Sequence, residues 1–317
     1  MDLKALGLKI FSAIQKEPFA YQAYEDYYGI MKTLLPVEKE EAVAGLKWLS
    51  ETISERMGML VQRDLDLGRK MMGLHRRVLL AAAPHDFDSF MLALEFNRPV
   101  QEQFWKPRRK HLLPICEALQ AMENDELDEL FLSCPPRIGK TTLIVMFMLW
   151  VMGRNSERSN LYCSFTSKPV ETFYDGLLEV LKDPMTYIYK EIFPSAKLVG
   201  TNANDSTIDL DRKKRYHSFT GRPIGGSLNG SCDCYGYIVA DDLVSGIEEA
   251  MSKERMASLW FKVDNNFITR AKEQCKRLWI GTRWSMVDPQ GIRLDLLQNE
   301  PKYANVRWRY INTPALN

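Results

Sequence analysis

The chain has 317 residues, of which 45% are hydrophobic and 26% charged, and its formal net charge is +1. This composition is typical of a globular protein with enough chain for one large or two modest domains. No uncharged apolar stretch reaches the roughly 18 residues that a membrane span needs, and the N-terminus lacks the basic-then-apolar layout of a secretory signal. We therefore expect no membrane association and a cytoplasmic location.

Residues 1–97 have the pattern of a helical accessory region. Pro and Gly are few, and apolar residues recur at helical spacing, as at Leu46, Leu49 and Ile53. From residue 98 onward, short β-rich runs alternate with helical segments, which predicts a parallel sheet covered by helices. The predicted fold class is α/β, with a mostly parallel central sheet flanked by helices in residues 98–317 and a helical N-terminal region before it.

The predicted elements of the α/β region follow this alternation. The predicted strands cover 130–133, 160–164, 208–210, 237–240, 277–281 and 306–310. The predicted helices cover 107–122, 140–152, 169–182, 248–261 and 289–298. Residues 183–236 are rich in Gly, Asn, Ser and basic side chains, which favours loops and short strands there.

The segment Cys134–Thr141 matches the phosphate-binding loop G-x-x-x-x-G-K-[ST], except that Cys134 replaces the first glycine. It lies between a short apolar predicted strand and an apolar predicted helix, which is the context this motif requires. Such a loop points backbone N–H groups at phosphate oxygens. Lys140 is predicted to reach the β- and γ-phosphates and Thr141 to ligate Mg²⁺. The predicted nucleotide-binding residues of this segment are Pro136, Arg137, Ile138, Gly139, Lys140, Thr141 and Thr142.

Two acids, Asp241 and Asp242, follow the predicted strand 237–240, at the end where ligands of open α/β sheets bind. A phosphate loop needs a metal-side carboxylate on an adjacent strand, and we predict that Asp241 holds Mg²⁺ directly or through water. Asp242 is predicted to act as general base on the attacking water. Thr282, which follows the strand 277–281, is placed to sense the γ-phosphate or that water. Ordinary turns after strands are the alternative interpretation of both segments.

Together these motifs resemble the large terminase subunits of tailed bacteriophages, the motors that package viral DNA. The resemblance covers roughly residues 98–316. The motifs that carry it are, in chain order, 135–141, Gly225–Gly230, Asp241-Asp242, Glu248–Ser252 and Gly281–Trp284. The arginine in the loop, the Gly-Gly-Ser-Leu run and the Gly-Thr-Arg-Trp strand make the resemblance more specific than a phosphate loop alone.

The resemblance implies an ATP-hydrolysing motor domain that uses ATP and Mg²⁺. It identifies Arg137 as the loop arginine that is typical of terminases, and Thr282 as part of a motif that couples hydrolysis to movement. The segment Pro99–Trp105 resembles the upstream adenine-binding segment. Either Gln101 or Gln103 is then the residue that reads the base.

The chain departs from the family pattern in two places. Many such motors have Glu as the second acid, whereas Asp242 places the base about 1.5 Å, one carbon–carbon bond, farther back; Glu249 is the fallback base. The family often has an arginine just before the acidic strand, but residues 231–236 contain none. A trans-acting arginine would then come from elsewhere, and Arg222, in a segment that looks mobile, is the candidate. Arg137 acting in cis is the alternative.

The resemblance also implies partners. These are double-stranded DNA, a portal protein, a small terminase subunit and further copies of the chain in a homo-oligomeric ring, in the host cytoplasm and without a membrane. Large terminases continue into a nuclease domain, which we do not expect within residues 1–317. A helicase-like P-loop ATPase is one alternative, although a second motor domain has no room here. A nucleotide-binding assembly module without hydrolysis is the other, and Asp242 argues against it.

Overall fold

A computed structural model describes residues 2–135, 137–226 and 232–313, and the chain divides into two compact units. One unit contains the residues up to Arg109 together with Met185–Ile192. The other contains Lys110–Pro184 and the residues from Phe193 onward. Within the described ranges, no helix has both the length and the apolar character that crossing a membrane requires.

Twelve helices and eight strands make up the regular structure of the described residues. The helices are α1 (Leu3–Lys16), α2 (Tyr21–Leu34), α3 (Lys39–Arg63), α4 (Leu65–Ala82), α5 (Phe87–Leu94), α6 (Trp105–Glu123), α7 (Lys140–Arg154), α8 (Ser167–Lys182), α9 (Tyr189–Ile192), α10 (Ile247–Ala250), α11 (Lys253–Lys262) and α12 (Pro289–Asn299). The strands are β1 (Glu129–Ser133), β2 (Asn160–Ser164), β3 (Leu198–Asn202), β4 (Thr207–Leu210), β5 (Phe219–Pro223), β6 (Tyr237–Asp241), β7 (Lys276–Gly281) and β8 (Trp308–Asn312). Short 3-10 turns lie at Val100–Glu102, Ile268–Arg270 and Pro301–Tyr303, and a π-helical turn at Val263–Phe267.

The first unit is helical, as the sequence predicts. Leu46, Leu49 and Ile53 of α3 are fully buried, because their spacing places them on one face of the helix. Asp64 separates α3 from α4, and its carboxylate caps α4 by accepting the N–H groups of Asp66 and Leu67. Helices α3 and α4 are thus joined by a single non-helical residue.

The second unit is built on one sheet with the strand order β3-β4-β5-β2-β6-β7-β1-β8. Five of its seven strand pairs are parallel, and only the pairs β3–β4 and β4–β5 are antiparallel. The predicted α/β class with a mostly parallel sheet is confirmed. The prediction that the acidic strand is adjacent to β1 is wrong, because β7 lies between β1 and β6. Leu278, Trp279 and Ile280 of β7 are buried on both faces of the sheet, which requires a central position.

Helices cover both faces of this sheet. On one face, the rings of Tyr162 in β2 and Phe173 in α8 stack with centroids 3.9 Å apart. On the same face, Phe147 of α7 meets Tyr237 of β6 edge to face. On the other face, Trp279 of β7 belongs to a hydrophobic cluster that includes residues of α11 and α12. The alternation of side chains along each strand therefore supplies two hydrophobic layers.

Three local predictions differ from the structure. The predicted helix 248–261 is two helices, because Ser252 ends the first and caps α11 by accepting the N–H of Arg255 at 3.3 Å. The segment that contains Arg222 is strand β5 and not a mobile loop, since Arg222 lies opposite Cys163 in β2. Residues 183–236 contain the predicted short strands, here β3, β4 and β5, but only β4 matches a strand with predicted bounds, and the helix α9 is not predicted.

Candidate functional site

The carboxyl ends of β1, β7 and β6 lie side by side at one edge of the sheet. The register aligns Ser133 with Gly281, and Ile280 with Asp241. The loop after β1, Thr282 and the two acids therefore begin at the same level. Because neighbouring strands are about 4.8 Å apart, β1 and β6 are separated by roughly 9–10 Å across β7. The loop and the acids thus face each other across the end of β7.

The loop after β1 leads directly into α7, whose first residue is Lys140. Gly139 has a φ of 97°, a left-handed conformation that glycine adopts without strain. The Lys140 ammonium donates a hydrogen bond to the carbonyl of Cys134 at 3.1 Å. In the described part of the chain, no side chain caps the N-terminus of α7. The first-turn N–H groups of a helix have no partners within the helix, and Thr141 and Thr142 are exposed in the first turn of α7.

Cys134 shows why the first glycine of the motif is dispensable in this chain. Its φ is not positive, so the backbone there does not require glycine. Its side chain is buried, and its thiol lies 3.6 Å from the hydroxyl of Thr313. Burial raises the pKa of the thiol above its ordinary value. Cys134 therefore packs against the end of β8 and keeps a neutral side chain.

Asp241 is a buried acid at the end of β6, with 5% of its surface exposed. Its Oδ2 accepts a hydrogen bond from the hydroxyl of Tyr162 at 2.7 Å. Burial and the neighbouring charge of Asp242 raise the pKa of Asp241 to about 6. The hydrogen bond from Tyr162 and the positive charge of Lys140 act in the opposite direction and lower this pKa.

Asp242 is half-buried and points toward β7. Its N–H donates to the carbonyl of Ile280 at 2.9 Å, and its Oδ1 accepts the N–H of Thr282 at 3.3 Å. Its φ of 42° is left-handed, a conformation that Asp tolerates better than most residues. A Cβ on Gly281 would lie 3.0 Å from Asp242 Oδ1, so the absence of a side chain there makes room for the carboxylate. The two acids therefore have different surroundings, Asp241 being buried and Asp242 lying over the end of β7.

Glu249 and Arg222 are engaged elsewhere. One oxygen of the Glu249 carboxylate accepts both the N–H and the hydroxyl of Ser245, at 2.8 and 2.7 Å. Arg222 lies in β5, which is four strands from β1 and hence roughly 19 Å away. Its guanidinium pairs with the carboxylate of Asp205 at 3.2 Å. In this structure, Glu249 therefore stabilises its own turn and Arg222 is remote from Lys140 of the same chain.

The remaining sequence-predicted residues belong to the first unit, to the loop after β1 or to positions outside the described ranges. Gln101 and Gln103 belong to the first unit, where Gln101 is exposed. The amide of the buried Gln103 donates to the carbonyl of Arg98 at 2.9 Å. Arg137 is exposed within the loop, with a φ of 70°. Pro136 and the residues 227–230 of the Gly-Gly-Ser-Leu motif lie outside the described residues.

Tyr162 and Gln290 take part in the site but are not among the sequence-predicted residues. Tyr162 reaches Asp241 only because β2 pairs with β6, so its role depends on the strand order. Gln290, near the start of α12, lines a small cavity beside Asp242. The run from Arg283 to Gln290 gives a weak local signal, since Asp288-Pro289 is typical of a helix start.

No protein-family model matches the sequence, and no curated protein matches it significantly. The chemistry of the site therefore rests on its own residues. They comprise an ammonium and uncapped helix N–H groups on one side of β7, and two carboxylates of unequal burial on the other. This combination suits a ligand that carries both phosphate and a divalent cation.

We expect Asp241→Asn to stabilise the metal-free protein at neutral pH. The folded-state pKa of about 6 exceeds the ordinary value of 3.8, so the contribution of Asp241 to stability is complete below pH 4 and lost as the pH rises through 6. The amide keeps the shape of the side chain and an oxygen for Tyr162. The free energy of unfolding, measured in urea with EDTA present, should therefore be larger for the variant than for the wild type by up to about 3 kcal/mol at pH 8. At pH 4 the two should differ little.

The matched control is Asp295→Asn, because Asp295 is an exposed acid on α12. It should leave the dependence of stability on pH unchanged. An Asp241→Asn variant that is no more stable than the wild type at pH 8 would contradict this account of Asp241.

Proposed function

We propose that this chain is the ATP-hydrolysing motor domain of a viral DNA-packaging terminase, which moves double-stranded DNA into a procapsid. The observation that supports hydrolysis is the convergence of Lys140, Asp241 and Asp242 around the end of β7. The order of the motifs in the sequence supports the packaging motor within the broader class of ATPases. Steady-state ATP turnover by the purified chain is the primary test.

The residues at the edge fit ATP and Mg²⁺. The raised pKa of the buried Asp241 reflects a carboxylate that lacks sufficient positive charge around it, which a cation would supply. The described residues contain no group of three or more His, Cys, Asp or Glu side chains arranged to hold a metal ion. Mg²⁺ commonly binds one or two carboxylates together with substrate phosphates. Asp241 and the hydroxyl of Thr141 would hold it in that manner.

In the proposed mechanism the bound cation, the loop with the start of α7, and the two acids have separate roles. Bound Mg²⁺ supplies positive charge that stabilises the phosphoryl group in transfer. Lys140 exchanges the carbonyl of Cys134 for the β- and γ-phosphate oxygens, and the first-turn N–H groups of α7 orient them. Asp241 must be ionised to accept the cation. Asp242, steadied by the N–H of Thr282, accepts a proton from the attacking water.

The proposed motor acts as a homo-oligomeric ring in the host cytoplasm, with double-stranded DNA, a portal protein and a small terminase subunit as partners. Arg222 lies too far from Lys140 to stabilise charge on a nucleotide bound by its own chain. It would serve a neighbouring subunit after it leaves Asp205. Arg137 lies in the loop itself and is the alternative within one chain.

Two other functions share parts of this geometry. A helicase-like P-loop ATPase would use the same edge of the sheet and would separate DNA strands. A nucleotide-binding assembly module would bind ATP without turning it over. Strand-displacement and turnover assays distinguish these functions from a packaging motor.

Lys140→Ala should lower the ATP turnover number by about 10²–10³-fold, the usual effect of removing one group that stabilises transition-state charge. The fold should not change, because among the described residues the Lys140 ammonium hydrogen-bonds only the carbonyl of Cys134. Lys168→Ala is the matched control, since Lys168 is a largely exposed lysine in the first turn of α8. Near wild-type turnover by Lys140→Ala would overturn the assignment of the loop.

Asp242→Asn should lower turnover by about 10²–10⁴-fold, the range for loss of a general base, while ATP affinity is kept. Asn also tolerates the left-handed backbone at this position. Glu249→Gln is the comparison. If Glu249→Gln loses turnover and Asp242→Asn retains it, Glu249 is the base.

Mixed assembly should show whether Arg222 acts in trans. Arg222→Ala subunits keep a complete loop, and Lys140→Ala subunits keep Arg222, so a mixture under ring-forming conditions should recover activity that neither variant has alone. A trans-acting arginine is worth about 10³–10⁵ in rate, which makes recovery easy to detect. A mixture of Lys140→Ala and Asp242→Asn is the control, and it should recover nothing. No recovery with Arg222→Ala, together with concentration-independent turnover by the wild type, would favour Arg137 in cis.

A further inference from the structure

Gln290 is a buried amide next to the candidate catalytic acid. It follows Pro289 at the start of α12, and only 8% of its surface is exposed. Among the described residues, its Oε1 has no hydrogen-bond partner. A buried amide oxygen without a partner is uncommon, because burial removes its bonds to water. This unpaired atom points to a function beyond packing.

Gln290 and Asp242 approach the same point from different elements. A Cβ built on Gly281 would lie 3.0 Å from Asp242 Oδ1 and 3.3 Å from Gln290 Nε2. Both side chains therefore converge beside Gly281, where the absence of a side chain leaves them space. A small cavity of about 20 Å³, lined in part by Asp242, Gly281, Thr282 and Gln290, lies at this place. Its volume suits about one water molecule.

Gln290 lies between two residues of the chain, Asp288 and Arg293, that are anchored to other segments. The buried carboxylate of Asp288 accepts the N–H groups of Gly291 at 2.7 Å and Trp284 at 2.9 Å, which ties the start of α12 to the segment after β7. Arg293, one turn after Gln290 and hence on the same face of the helix, forms a buried ion pair with Glu129 of β1. The amide of Gln290 is thus presented to Asp242 by a rigid element.

We infer that Gln290 is a positioning residue, which holds the Asp242 carboxylate toward the reacting water through its amide and one water in the cavity beside Gly281. In this arrangement the amide N–H₂ is the donor toward the carboxylate, and Oε1 is the acceptor for the water in the cavity. This inference rests on the proposed function, because it assigns Gln290 a role only if Asp242 serves ATP hydrolysis.

The test compares Gln290→Leu with Gln298→Leu, the same substitution at an exposed position of the same helix. Gln290→Leu should lower kcat for ATP by about 10–100-fold, the usual effect of losing a group that orients a reactive side chain. KM should change little, since no phosphate contact is lost. Stability in urea should be unchanged or higher, because an unpaired buried oxygen is removed. Gln290→Met, which keeps an unbranched side chain, should show the same loss of kcat. It provides a second measurement in case the Leu variant misfolds.

A double-mutant cycle tests whether the effect of Gln290 on kcat depends on Asp242. If Gln290 acts through Asp242, then Gln290→Leu should cause no further loss in an Asp242→Asn background. The inference would be overturned if the losses were additive. It would also be overturned if Gln290→Leu and Gln290→Met had the same kcat as Gln298→Leu. Either result would leave the proposed function standing. A wild-type chain that does not turn over ATP would overturn both.

Discussion

The position of β7 between β1 and β6 is the constraint on which the candidate site depends. It separates the strand that leads to the Lys140 loop from the strand that carries the two acids by roughly 9–10 Å, with their ends at the same level of the sheet. Direct pairing of β1 with β6 would halve this separation to about 4.8 Å. The intervening β7 instead ends between the two segments, and Asp242 lies beside its last residue, Gly281.

Several residues of the candidate site have surroundings or backbone conformations that are unfavourable for the stability of the fold. Asp241 is buried, it accepts a hydrogen bond from Tyr162, and no cation of the described residues forms an ion pair with it; burial and the charge of Asp242 raise its pKa. Arg137 and Asp242 have left-handed backbones that most side chains avoid. Such exceptions concentrate where a ligand or a reaction uses them. Two of the six described non-glycine residues with positive φ thus lie in the two segments of the candidate site, which are about 100 residues apart in the sequence.

Much of the sheet could be predicted because its central strands are continuous apolar runs. Strands β1, β6 and β7 are short and buried, so Asp241 and Thr282 could be placed at strand ends, and Lys140 at the start of the helix after β1, from local pattern alone. The strand order could not be predicted, because it is set by non-local pairing. The sequence pattern does not predict β5, because Gly221 and Pro223 have a low propensity for strands. The contacts made by Tyr162 and Gln290 depend on that order, and no local pattern encodes them.

Helix α12 connects the candidate site to the opposite end of the central sheet. Glu129, at the start of β1, is fully buried and accepts hydrogen bonds from Trp279 of β7 and Arg293 of α12. Removing one partner from such a buried ion pair leaves an uncompensated charge, so the pair resists displacement. Gln290, in the first turn of the same helix, lies beside Gly281, as does the carboxylate of Asp242. Helix α12 is therefore anchored to β1 by the buried Arg293–Glu129 ion pair, while Gln290 in its first turn lies beside the end of β7.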